Sequence, residues 1–200
     1  MIASTLVLAA AVLASLTDGS HDIIVRRATV PATGSPQGEV RLIERNHAVV
    51  VQTLLESRVI MRVAREIALK EDQGWPETNE LRGESRRYLD ALTEAAQAVL
   101  HEHARRPELR NEPQKLIIEF VLAPDAAVVA LYELPTGEVR DRDRLPERKL
   151  VRSLDLDRAY VERNVTLIAE DSLGMRADEV QRETARIFGT NGGASAPPGP

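Results

Sequence analysis

Residues 115–140 constrain this chain more than any other stretch, because their side chains alternate and short turns join the parts. Leu116, Ile118, Phe120 and Leu122 share one face of an extended chain, while Lys115 and Glu119 punctuate the other. Ala123-Pro124-Asp125 then reads as a tight turn and 126–134 as a returning apolar strand. Pro135-Thr136-Gly137 turns the chain again before Glu138-Val139-Arg140. A two-residue period interrupted by Pro and Gly predicts antiparallel pairing.

The flanking sequence supplies the other layer. β-formers at 22–30 predict a strand, and 39–45 and 47–55 predict two more that meet in a tight turn near Asn46. From Arg58 the spacing changes to three and four (Val59, Ile60, Val63, Ala64, Ile67), which predicts a helix to about Asp72. Gly74-Trp75-Pro76 breaks it, and a longer helix over 84–106 follows with Leu89, Leu92, Ala96, Val99 and Leu100 as its inward stripe. A short apolar strand is expected at 150–154, then helices at 158–171, capped by Asp155 or Asp157 and stopped by Gly174, and at 178–188. The expected fold class is α+β, a mostly antiparallel sheet with helices packed on one face. The expected partition is an apolar segment at 1–19, an α+β domain at 20–172, a helical appendage at 173–189 and a disordered tail at 190–200.

Composition narrows the chemistry. The chain has 200 residues, 43% hydrophobic and only 3% aromatic, so its core must be largely aliphatic. It has no cysteine, which excludes disulfides, thiolate nucleophiles and the common structural zinc sites. A net charge of −5 gives no global field that would draw it to nucleic acid or anionic membranes. Residues 2–16 are uncharged but too few for a stable membrane span, for which about 20 apolar residues are needed. They read as a buried helix in a cytoplasmic protein; the alternative is export through an atypical signal, since no basic residue precedes Arg26.

Each chemical candidate has a structural competitor. His101 and His103 are two apart, so on a helix they diverge by about 200° and cannot share one ion. Interaction with the helix dipole is the expected role there, and no metal site is predicted. In extended chain Arg140, Arg142 and Arg144 project to one side, a geometry suited to binding an anion, yet alternating charge also marks a solvated edge strand, the reading preferred here. Trp75 is expected to anchor its loop, with ligand or partner contact as the alternative. Glu119 and Glu133 lie on strands and are expected to face solvent. No phosphate loop or nucleophile elbow is present, and no cofactor is expected.

Residues 168–182 resemble a helix-turn-helix, with Ala169, Gly174 and Val180 in the motif's sense, although Ala169 to Gly174 is one residue too long and Glu183 stands where an apolar side chain belongs. Residues 178–189 also resemble the small helical module at the carboxy end of some large bacterial helicases. The resemblance implies that Gln181, Arg182 and Arg186 would face nucleic acid, against repulsion from Asp178, Glu179 and Glu183. The leading expectation is a non-enzymatic protein-interaction or regulatory domain, with protein as partner. A nucleic-acid accessory protein and a hydrolase assembled from distant carboxylates are the alternatives.

Overall fold

The computed structural model describes residues 22–30, 38–62, 65, 79–106, 114–134 and 148–189. The expectations for 1–19, for Trp75, for the strand at 138–140, for the arginines 140–144 and for the tail lie outside these residues.

Six strands form one antiparallel sheet in simple chain order: β1 (Ile23–Val30), β2 (Gly38–Arg45), β3 (Ala48–Glu56), β4 (Lys115–Leu122), β5 (Ala127–Glu133) and β6 (Lys149–Asp155). The described residues also form four helices: α1 (57–62, with residue 65 also helical), α2 (Asn79–Ala104), α3 (Arg158–Leu173) and α4 (Ala177–Gly189). This is the expected α+β class. The β2–β3 turn uses Asn46 and His47, both at positive φ (46° and 62°), the left-handed pair that matches the twist of a two-residue hairpin. Pro124-Asp125 closes the β4–β5 hairpin, with the Ala123 amide donating to the Ala126 carbonyl at 2.9 Å.

The strand alternation sets the core. Val40, Leu42, Val49, Val51, Leu116, Ile118, Phe120, Leu122, Val129 and Leu131 face the helices. Against them α2 places Ala91, Leu92, Ala95, Ala96 and Val99, and α3 places Tyr160, Val161, Val165 and Ala169. Tyr88 of α2 packs on Phe120 with ring centroids 5.3 Å apart and on Tyr160 of α3 at 6.4 Å, so three aromatic rings meet at the joint between layers. α3 begins where the Asp157 carboxylate accepts from the Ala159 amide at 2.8 Å. It ends at Gly174, whose φ of 62° returns its amide to the Ala169 carbonyl. The last helix, expected as an appendage, contributes Val180 and Ile187 to the same core.

The opposite face of the sheet is also buried. Ile43, Val50, Ile117, Val121, Val128 and Ala130 are all shielded from water, in clusters built of sheet and turn residues alone among the described residues. Antiparallel sheets commonly leave one face wet, so burial on both faces changes what a charged side chain in the middle of a strand must do.

Candidate functional site

Glu119 stands in the middle of β4, directly opposite Gln52 of β3, on the face turned away from the helices. It is 0% exposed. This corrects the expectation that it faces solvent, and the reason is the second buried face: an off-parity position on β4 points into protein. An ionised carboxylate there is stable only if it is paired and hydrogen-bonded.

Among the described residues its partners arrive from three other places in the chain. Arg45, the last residue of β2 and 1% exposed, donates from Nη1 to Glu119 Oε2 at 2.7 Å and from Nη2 to Oε1 at 3.1 Å, a bidentate fork. Gln52 Nε2 donates to Oε1 at 2.8 Å. Arg148, the residue before β6, donates from Nη1 to Oε1. Arg45 also reaches Asp22, just before β1, donating from Nε at 2.5 Å and from Nη2 at 3.2 Å. One carboxylate thus ties β2, β3, β4 and the entry to β6, and Arg45 extends the tie to β1. Beneath Arg148, the Tyr132 ring lies 4.6 Å from the guanidinium carbon.

The electrostatics follow. Burial alone pushes the Glu119 carboxyl up, but the charge and hydrogen bonds of Arg45, with Arg148 and Gln52, carry it below the ordinary carboxylate value. Burial opposes the charge on Arg45, yet Glu119 and Asp22 raise its affinity for the proton above the usual. Burial and the Glu119 charge push the Tyr132 hydroxyl up to about 12. Two guanidiniums face two carboxylates, so the cluster is neutral. A carboxylate held ionised by these contacts is a poor general base or acid near neutrality, and arginines committed to it are poor anion receptors. The arrangement locks strands.

Beside it Arg41 forks onto Glu39, with Nε at 2.8 Å and Nη2 at 3.0 Å, while its buried Nη1 has no hydrogen-bond partner among the described residues. On the helix-covered face the two histidines part as their spacing requires. His101 is exposed, and His103 is 3% exposed with Nε2 3.9 Å from Glu133 Oε1. Lys149 Nζ lies 3.8 Å from the other oxygen of Glu133. Among the described residues no three acidic or histidine side chains come together to hold a metal ion, and no helix is long and apolar enough to cross a membrane.

Gln181, Arg182 and Arg186 all lie exposed on α4. Arg182 pairs with Asp178 at 3.3 Å, and Arg186 reaches Glu183 at 2.8 Å and Glu44 at 2.9 Å, so both guanidiniums already have carboxylate partners within the chain. Of the sequence candidates that lie within the described residues, none pairs with Glu119. The centre was nonetheless signalled: in β4 the off-parity neighbours Ile117 and Val121 are apolar, which marks a strand buried on both faces, and a lone Glu within it demands cationic partners. Which arginines answer was not legible, since Arg45 is 74 residues away. Comparison with protein families, with curated proteins and with solved structures finds no match to this chain.

Proposed function

We propose that this protein is a non-enzymatic interaction or regulatory domain that acts by contacting other proteins in the cytoplasm. The observation that carries the reading is the saturation of Glu119: the most concentrated chemistry in the described residues is spent on holding the sheet together. A partner then has to be met on the outer surface. Strand addition at the sheet edges is hindered, because β1 and β6 each pair through an irregular register and carry exposed arginines, Arg26 and Arg152. Side chains are the better contact points, and the exposed large apolar ones among the described residues are Ile23 on β1 at 55%, Leu150 on β6 at 47% and Leu167 on α3 at 43%.

The test is site-specific photo-crosslinking in the native host, with the reactive side chain at Leu150, at Leu167 and, as control, at exposed Arg163. A discrete protein adduct at one of the leucines and not at the control is expected. Equal or absent labelling at all three positions refutes the reading.

A further inference from the structure

The edge strand β6 is lightly seated. None of its seven side chains is buried, whereas β5 beside it buries six of its seven. Val151 and Leu154 reach the main core, and both stay partly exposed. The β5–β6 ladder also breaks register between Leu131 and Tyr132, close to the amino end of β6. Beyond the ladder, charge holds the strand. Arg148, just before it, donates to Glu119; Lys149 Nζ lies 3.8 Å from Glu133 of β5; Arg152 pairs with Glu94 of α2. The Arg152–Glu94 pair is exposed on both sides, and such a pair shifts an equilibrium by a factor of up to about five. The carboxy end is held differently, with Arg87 of α2 donating to the Asp155 carbonyl at 2.9 Å and α3 beginning three residues on. When Arg148 leaves, Glu119 keeps Arg45 and Gln52.

We propose that β6 is a displaceable guard strand that opens from its amino end, and that the β5 edge beneath it is a docking site for an extended, basic segment of a partner protein. The seat defines that chemistry. Strand addition draws on main-chain hydrogen bonds for affinity and on side chains for specificity. Opening frees the backbone edge of β5 between Glu133 and Glu94, each of which has lost a cation. The incoming strand therefore matches with Lys or Arg at the places of Lys149 and Arg152. Aliphatic side chains take the places of Leu150 and Leu154, beside Tyr132 and Val129. This is the pattern of β6 itself, so guard and ligand compete for one seat, and the closed form keeps an apolar edge from pairing indiscriminately. The inference rests on the interaction role proposed above and names the partner's chemistry. Its failure leaves the crosslink at Leu167 as the separate test of that role.

Hydrogen exchange on the full chain, read by mass spectrometry, tests the opening. Residues 149–155 are expected to exchange about tenfold or more faster than 115–122. Arg152→Glu, which sets two carboxylates together, should speed 149–155 about tenfold again and leave 115–122 unchanged. A synthetic peptide of residues 148–155 tests the seat. It is expected to bind the Arg152→Glu chain at least about fivefold more tightly than the parent, and to lose that binding when the peptide itself carries Arg152→Glu. The chain has no cysteine, so Ala130→Cys/Ser153→Cys, at paired positions of β5 and β6, provides a staple that should abolish peptide binding when oxidised and restore it when reduced. Unchanged exchange of 149–155 in the Arg152→Glu chain overturns the proposal, as does joint acceleration of 115–122. Peptide binding that is absent from the Arg152→Glu chain, or indifferent to the staple or to the peptide's charge, overturns it too.

Discussion

Replacing Glu119 with leucine removes the counter-charge on which Arg45 and Arg148 converge. Arg45 is 1% exposed and cannot turn to water, so the substitution leaves a charge in the interior with, among the described residues, Asp22 as its remaining counter-charge. Breaking one side of a buried pair costs about 3–5 kcal/mol. In a chain of this size each kcal/mol lowers Tm by about 2–4 °C, so Glu119→Leu is expected to melt about 10 °C or more below the parent. Arg45→Met should lose a comparable amount. The double variant Glu119→Leu/Arg45→Met should recover much of the loss, because apolar groups that replace both partners need no compensation. Urea titration followed by circular dichroism measures all four corners of the cycle. The pH dependence gives an independent check. The folded carboxyl sits below its ordinary value of 4.5, so the native state binds fewer protons than the unfolded chain. Its stabilisation is complete above about pH 4.5 and is lost as pH falls through the folded value, so parent and Glu119→Leu should converge only in acid. A loss under about 1 kcal/mol in the single variant, or strict additivity in the double, would refute the claim that one carboxylate ties the strands.

Three further outcomes are expected. Ile187→Ala should cost about 2–5 kcal/mol and leave one cooperative thermal transition, since this α4 side chain lies in the main core; a separate early transition would show that the last helix folds alone. Gly174→Ala should cost about 1–2 kcal/mol, because its φ of 62° suits glycine and strains a side chain although an added Cβ meets nothing within 4 Å; a neutral result would show that the end of α3 does not need the left-handed cap. Asp157→Ala should cost about 1 kcal/mol by removing the cap on α3, measured by the same urea titration.

Local physics made much of the fold readable. The alternation from Lys115 to Glu133 specified the central hairpin, Asn46 marked the tight turn, and Gly174 marked the end of α3, whose start the sequence narrowed to Asp155 or Asp157 and the fold gives to Asp157. These signals depend on neighbours a few residues apart, which the linear order already supplies. The sequence by itself also settled that His101 and His103 diverge, because helical pitch is a local constant. What only the tertiary structure decided was the fate of Glu119. Alternation says that it leaves β4 on the side opposite Phe120; whether that side meets water or protein depends on what lies over it. Arg45 reaches it from 74 residues earlier in the chain and Arg148 from 29 residues later, and Asp22 joins through Arg45, 23 residues before that arginine. Charge pairing at such separations follows from strand order and register, and it takes the folded sheet to bring those guanidiniums to one carboxylate.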